Sequence, residues 1–472
     1  MQSAVTITPT MDEHTRALAD EHRQAGLLWC MSMLVTVLYA LAYLASYTPP
    51  VMYAISVLII YAAAPPRYLF SPRNFLAGYH MMFYAIAVMG AERYHEFDFS
   101  ERAVVISYLM VATSYVVCYL TLFHTETWLG GQAGVQSITP MAVASRKGSF
   151  MISFTTIACG LLCAAGMVLA SGGVAHWMAD SGHAFLGREG GGIYYLGFIM
   201  CLGIGFCAAG VFAAQSRNLL IVLACLALVA VCTPLLGGKH RTFTMLAYAT
   251  LPWTFCASVM SRSTLYLISG LLASFVALTY LRNMSWITAD NFLAYSLNYF
   301  STFDNLVMSV RDFEPSWFRT LFLPFNKFLV PFGIGDNSVF YDMNAWLTSI
   351  YLPHIWELRC TEQWPVETDL YISTYYVFGI PLLMLYVAGT GLLFNYAVRS
   401  QSVGMMYVSA YATFYMLAHL RGSLILWTDF YTIPYWMLSF WILRKLRMPD
   451  VRLRFEVRNW RWRPIAGLTT PT

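Results

Sequence analysis

The residues of this sequence best suited to chemistry are a few charged side chains that interrupt long apolar runs. The candidates are Arg241, Lys239, Arg188, Arg311 and Arg421 for binding an anion, and Glu367 and Asp369 for accepting a proton. Arginine offers paired hydrogen bonds to a phosphate and stays charged at any physiological pH. A carboxylate in a partly apolar setting has a raised pKa and can act as a general base. These residue types predict acid-base chemistry beside a bound anion.

The stretch LLGGKHRTFTML, residues 235–246, places positive charge between two apolar runs. Its two glycines let the backbone approach a ligand closely, and Arg241 begins a predicted helix whose first N–H groups favour an anion. A diphosphate suits such a site. The alternative is that Lys239 and Arg241 extend to lipid headgroups or pair with a nearby acid. Arg188 and Arg421 lie in two further polar segments on the same predicted side of the membrane.

Glu367 and Asp369 lie in WPVETDLYISTYYVFG, residues 364–379, where the chain enters a predicted membrane span. Besides the role of a base, helix capping could explain them, with Thr368 or Asp369 as the N-cap and an acid near the helix N-terminus. No HxxxH, HExxH or Cys/His ligand spacing occurs. The sequence therefore supports neither a metal site nor a cofactor.

The elements that must position these residues are membrane helices. Of 472 residues, 58% are hydrophobic and 11% are charged, and one membrane span needs roughly 20 apolar residues. The runs free of Asp, Glu, Lys and Arg are 27–46, 50–64, 75–90, 103–124, 149–172, 193–214, 218–236, 242–258, 264–281, 370–394, 403–420 and 430–443. Each is predicted to be a helix because lipid leaves backbone groups no other partner. The result is an all-α polytopic membrane protein with about twelve spans, whose charge-free interior argues against an ion-coupled carrier.

The distribution of Lys and Arg predicts the orientation of the chain. The basic C-terminal tail is placed in the cytoplasm, and the connections then alternate so that residues 237–241 lie outside. The predicted segments are a cytoplasmic tail at 1–26, spans one to nine at 27–281, an outer loop at 282–369, spans ten to twelve at 370–446 and a basic cytoplasmic tail at 447–472. The anion-binding candidates and both carboxylates therefore share the outer side.

The long outer loop is predicted to be structured. From Asp290 to Arg311 apolar residues recur at three- and four-residue intervals, which predicts an amphipathic helix. The stretch PSWFRTLFLPFNKFLVPFG, residues 315–333, is rich in aromatic residues and proline. It is expected to lie in the outer membrane interface or to dip back toward the membrane.

The order of these features resembles the Wzy-type oligosaccharide repeat-unit polymerases of bacterial polysaccharide assembly, and is most similar to the enterobacterial-common-antigen type. The matching elements over roughly residues 150–445 are a glycine-rich outer loop at 172–192, the GGKHR turn, the long loop with its PSW segment, ETDLYISTYYVFG, and a final outer RG turn. GGKHR has one residue more than a GGxR pattern, which leaves open whether Lys239 or Arg241 takes the key position.

The resemblance implies a membrane-embedded glycosyltransferase fold of the C type in the bacterial inner membrane, with both termini cytoplasmic and the active site periplasmic. It implies metal-independent, inverting transfer of a chain carried on undecaprenyl diphosphate, with the arginines binding the diphosphate. Glu367 or Asp369 would take the proton of the attacking sugar hydroxyl. A chain-length-regulating co-polymerase and a flippase are the implied partners, with no nucleic acid.

Three alternatives remain open beside the polymerase. Another lipid-phosphate-dependent sugar transferase of the C type would usually have acidic residues in its first outer loop, where this sequence has YTPP at 47–50. An O-antigen ligase would share the fold, but relatives of that kind have a histidine about ten residues before the glycine that corresponds to Gly379, and this sequence has none there. A flippase or exporter of lipid-linked oligosaccharide would be a transporter with a charged central cavity. All three remain alternatives to polymerisation.

Overall fold

Helices form almost all of the described chain, as the apolar runs predict. The computed structural model describes residues 11–91, 94, 97–127, 146–179, 184–185, 191–237, 239–255, 257–258, 262–282, 292–336, 339–357, 360–400, 402–446, 452–454 and 463–465. Arg188 and Asp290 lie outside these residues. Lys239 is described as part of a helix, but its side chain is not described.

The elements follow one another in a simple order. The helices are α1 (Met11–Ala45), α2 (Pro50–Ala63), α3 (Pro72–His80), α4 (Ala87–Gly90), α5 (Arg102–Thr127), α6 (Arg146–Ala170), α7 (Gly173–Ala179), α8 (Gly192–Ser216), α9 (Leu220–Leu236), α10 (Lys239–Thr254), α11 (Arg262–Arg282), α12 (Phe292–Tyr299), α13 (Phe303–Asp312), α14 (Leu323–Leu329), α15 (Met343–Tyr351), α16 (Pro353–Glu357), α17 (Val366–Thr374), α18 (Ile380–Ser400), α19 (Val403–Leu420) and α20 (Asp429–Leu443). A π-helix (Met81–Ile86) joins α3 to α4, and a 3-10 helix (Val330–Phe332) follows α14. Two short strands, β1 (Arg452–Arg454) and β2 (Arg463–Ile465), pair antiparallel near the C-terminus.

The helices identify an all-α, membrane-embedded protein. Within the described ranges, five are long and apolar enough to cross a bilayer: Ala19–Ala45, Arg102–Thr127, Arg146–Ala170, Gly192–Ser216 and Ile380–Ser400. Two shorter apolar helices are Pro50–Ala63 and Leu220–Leu236. Large apolar side chains such as Leu44, Val231 and Leu385 are exposed, as expected where lipid replaces water. The number of twelve crossings stays a prediction.

Two apolar cores hold the bundle together. The first joins α1, α2, α3, α5 and α13, and the second joins α6, α8, α9 and α10. Helices α18 and α19 connect the cores because each packs one half against the first and the other half against the second. The loop between α19 and α20 begins beside the first core, in which its Leu424 is buried.

The tenth apolar run, predicted as one helix over 370–394, is broken in the structure. Helix α17 ends at Thr374, and α18 begins at Ile380. Tyr375 and Tyr376 have left-handed backbone angles, with φ of 51° and 60°, which ends an α-helix for residues other than glycine. A Cβ on Gly379 would lie 2.3 Å from the Thr374 hydroxyl. Only glycine therefore fits at position 379, in the turn between α17 and α18.

The amphipathic helix predicted from Asp290 to Arg311 is also two helices. Helix α12 ends at Tyr299, and α13 begins at Phe303. The intervening Ser301 and Thr302 favour caps and turns over a helix interior, and this break separates the apolar faces on its two sides. Phe303 of α13 is fully buried, whereas Leu293 of α12 is exposed.

The aromatic stretch 315–333 forms short pieces, as its prolines predict. Helix α14 and the 3-10 helix leave Trp317, Phe322 and Phe332 more than half exposed, and Phe328 stacks on Phe430 at 4.3 Å between ring centroids. Its position in the membrane interface stays a prediction.

Candidate functional site

A cavity of about 260 Å³ lies among α8, α10, α19 and α20. The polar and aromatic residues that line it include Arg241, His240, Tyr248, Tyr411, Tyr431 and Tyr435. Such a lining, with a single arginine among hydroxyl-bearing rings, suits a ligand that has an anionic group and a polar or apolar remainder.

Arg241 occupies the first turn of α10 and is half-buried. Its guanidinium carbon lies 5.0 Å from the centroid of the Tyr195 ring, an attractive cation-π geometry. No carboxylate of the described residues forms an ion pair with it. The alternative in which Arg241 pairs with a nearby acid therefore has no support within the described structure.

The first glycine of the GGKHR turn has a structural role. Gly237 has a φ of 77°, and a Cβ there would lie 1.9 Å from the ring of Phe185. The glycine is required by this packing, whereas the sequence predicted close approach to a ligand.

Arg421 follows α19 directly and lies near the same site. Its guanidinium carbon is 4.9 Å from the ring centroid of Phe83 and 5.1 Å from that of Tyr299. Its buried Nε has no hydrogen-bond partner in the described structure. His240 lies within electrostatic reach of both Arg241 and Arg421. The two arginines, distant in sequence, therefore belong to one cationic region.

Glu367 is buried in α17, with a side chain only 1% exposed. Its Oε2 accepts a hydrogen bond from the Tyr84 hydroxyl at 3.2 Å. Oε1 makes no hydrogen bond of good geometry within the described residues, although the Ser114 hydroxyl is near enough to affect the carboxyl. Burial raises the pKa of Glu367 to about 7, against the smaller lowering effect of nearby hydrogen bonds. The carboxyl is therefore poised to gain or lose a proton near neutral pH.

Tyrosine hydroxyls connect Glu367 to the Arg421 turn. The hydroxyls of Tyr84 and Tyr79 are 3.2 Å apart, and Tyr79 donates to the Leu420 carbonyl at 2.8 Å. Tyr84 lies in the π-helix, an element that often marks functional positions. These hydroxyls form a continuous hydrogen-bonded path from the Glu367 carboxyl to the Leu420 carbonyl.

Asp369 has a structural role. Its Oδ2 accepts the Leu424 N–H at 2.9 Å, and its Oδ1 accepts from the hydroxyls of Thr320 and Ser373. Burial raises its pKa, and these hydrogen bonds lower it. Both carboxylate oxygens of Asp369 thus accept hydrogen bonds, which link α17 to the segments that contain Thr320 and Leu424. The N-cap of α17 is Pro365, so neither Thr368 nor Asp369 is the N-cap, whereas the other part of the capping alternative, an acid near the helix N-terminus, is confirmed because Glu367 and Asp369 lie in the first turn.

The structure does not bring Arg311 to this site. Arg311 forms a paired salt bridge with Glu101, at 2.9 and 2.7 Å, on the protein surface. Its side chain is 52% exposed, so the pair is an ordinary solvated one. The position of Arg188 and the side chain of Lys239 lie outside the described residues.

The sequence missed a histidine-aspartate pair beside the site. His419 Nε2 lies 3.1 Å from Asp429 Oδ1, and His419 Nδ1 lies 3.1 Å from the Ser423 carbonyl. The remaining oxygen, Asp429 Oδ2, accepts the Leu426 N–H at 2.9 Å. The pair closes the loop that carries Arg421. Both residues lie in HLRGSLILWTDF, residues 419–430. A histidine and an acid at the two ends of this short segment are the signal from which the pair could have been predicted.

Comparisons with protein-family models, curated proteins and solved structures find no match for this chain. Within the described residues, no group of three or more His, Cys, Asp or Glu side chains could hold a metal ion. The fold and site together define an all-α membrane protein with a cationic, tyrosine-lined cavity at one end of its helices.

Proposed function

We propose that this protein is a polymerase that joins undecaprenyl-diphosphate-linked oligosaccharide repeat units into a bacterial surface polysaccharide. The observation that carries the proposal is Arg241, a cation without a carboxylate partner in the described structure, inside a cavity lined by tyrosines. A diphosphate supplies the missing negative charge, and aromatic rings suit the adjoining sugar. Arg421, which also lies near His240, extends the positive region.

The proposed reaction is a direct displacement. A hydroxyl of the acceptor sugar attacks the anomeric carbon of the donor chain, and the bond from that carbon to the diphosphate oxygen breaks. The electron pair leaves with the diphosphate, where arginine stabilises the developing charge. The hydroxyl proton passes to a carboxylate, and the anomeric centre inverts. No metal is needed for this balance of charge.

Glu367 is the favoured base. One of its carboxyl oxygens makes no hydrogen bond of good geometry in the described structure, and its pKa is raised to about 7. Asp369 is less suited because hydrogen bonds occupy both of its oxygens. The proposal places the protein in the inner membrane with the cavity facing the periplasm. A chain-length-regulating co-polymerase and a flippase are its proposed partners.

The test is a gel of surface polysaccharide from a host that lacks the gene. Complementation with the wild type should restore a ladder, and Arg241→Ala should lose about 100- to 1,000-fold of the transfer rate, as removal of a key oxyanion donor does. Arg319→Ala, an exposed arginine on the outer loop, is the matched control and should restore the ladder. Membrane amounts of each variant are compared on the same samples.

The outcomes separate the alternatives. Material with a single repeat unit in the deletion strain and in Arg241→Ala supports the polymerase. Long lipid-linked chains that remain unattached indicate a ligase, and repeat units held at the cytoplasmic face indicate a flippase. A wild-type ladder from Arg241→Ala refutes the role of this arginine.

A further inference from the structure

A second cavity, of about 320 Å³, lies between α18 and α20. It shares Tyr415 and Thr432 with the cavity that contains Arg241. The two cavities are therefore neighbours along a common wall.

The lining of this second cavity changes along its length. Asp429 lies at the start of α20, next to the shared wall, whereas Leu385, Leu393 and Ile433 are apolar. Leu385 is 74% exposed, and Ile433 is 58% exposed. Leu385 belongs to a helix that is long and apolar enough to cross a bilayer, and Ile433 belongs to the apolar helix α20, so this side of the groove opens toward lipid.

Tyr386 and Trp436 also line the groove. Their polar atoms, Oη and Nε1, are buried and have no hydrogen-bond partner in the part of the chain that the structure describes, so the aromatic rings are the part of these side chains that a ligand in the groove contacts.

We propose that the groove binds the isoprenoid chain of a lipid-linked diphosphate, and that the diphosphate extends past Tyr415 and Thr432 toward Arg241. This inference rests on the proposed function, because it assigns the lipid part of the same substrate. The groove does not suit the diphosphate itself because its described lining contains a carboxylate, Asp429, and no cation. The apolar lining and the opening toward lipid suit a hydrocarbon chain that enters from the bilayer.

Gly389 offers a clean way to block the groove. It lines the cavity, is exposed, and a Cβ added there meets no atom within 4 Å. A larger side chain can therefore start from this position without a Cβ clash, and Gly389→Trp adds an indole to the lining of the groove. Gly270 of α11 is likewise exposed with open space around its Cβ position. Gly270→Trp is the matched control for a bulky residue at an exposed glycine of another helix.

The experiment is photolabelling of the purified full-length protein in nanodiscs with a prenyl diphosphate that carries a diazirine at the end of its chain. Labelled peptides are located by mass spectrometry, with unlabelled prenyl diphosphate as competitor. We expect competed labels in α18 and α20, at least tenfold weaker in Gly389→Trp and unchanged in Gly270→Trp. Polymer synthesis is measured on the same preparations, and Gly389→Trp should lower kcat/KM at least tenfold.

Each outcome bears on the groove. Competed labels confined to other helices, or equal labelling of wild type and Gly389→Trp, would overturn it. If the protein makes no polymer but α18 and α20 are labelled and blocked by Gly389→Trp, the proposed polymerase function fails while the lipid groove stands. Labelling that excess competitor does not reduce reflects partition of the probe into the bilayer and counts against the groove.

Discussion

Replacing Glu367 with glutamine should make the protein more stable and inactive. Glutamine keeps the shape of the side chain and an oxygen that accepts from Tyr84, but it never ionises. The pKa of Glu367 rises from an ordinary 4.5 to about 7 through burial. At about 1.4 kcal/mol per pH unit, the difference corresponds to roughly 3 kcal/mol.

The sign of the pH dependence follows from proton binding. Between pH 4.5 and about 7 the folded protein holds more protons at Glu367 than the unfolded chain does. The stability of the wild type therefore falls as pH rises through this range. Above it, Glu367→Gln should be more stable by up to about 3 kcal/mol, and below pH 4.5 the two proteins should be equal in stability. Activity of the wild type should rise with pH around 7 as the base loses its proton.

The assay combines unfolding and polymer synthesis. Thermal unfolding of detergent-solubilised protein is followed at several pH values, with Glu314→Gln as the control because Glu314 is exposed. The control should follow the wild type in both stability and polymer synthesis. Wild-type activity in Glu367→Gln would remove Glu367 as the base. If the difference in unfolding temperature between Glu367→Gln and the wild type were the same at all pH values, the argument that the buried charge of Glu367 destabilises the folded protein would be refuted.

Three further substitutions test the surroundings of this carboxyl and the packing of the bundle. Tyr84→Phe removes a hydrogen bond that lowers the pKa of Glu367, so the activity rise should move above pH 7, whereas an unchanged midpoint would count against the contact. Asp369→Ala leaves the Leu424 N–H without its acceptor, at about 1 to 3 kcal/mol for a buried group, and removes the acceptor of the Thr320 and Ser373 hydroxyls, which keep only each other; it should reduce folded protein on size-exclusion chromatography. Glu126→Ala leaves the buried Arg73 without its partner at 2.9 Å, which should cost about 3 to 5 kcal/mol; an unchanged unfolding temperature would contradict this.

The class of fold could be predicted from composition because the length of an apolar run fixes whether a helix can cross a bilayer. The breaks between α12 and α13 and between α17 and α18 could not be predicted from composition. Helix α17 stops at Thr374 although the apolar run continues, because Tyr375 and Tyr376 adopt left-handed angles and Gly379 packs against Thr374. Backbone angles and tertiary contacts end this helix, and a hydropathy pattern contains no information on either.

The two carboxylates of α17 show most clearly what only the fold decides. Glu367 and Asp369 are two residues apart, so their side chains point to different faces of the helix. One face meets Tyr84, which lies 283 positions away in the sequence, and leaves Glu367 with a single hydrogen bond of good geometry. The other face meets the loop at Leu424, whose N–H occupies Asp369. In the sequence both acids are equal candidates for a base, whereas their partners in distant helices and loops leave one oxygen of Glu367 without a hydrogen bond of good geometry in the described structure and occupy both oxygens of Asp369.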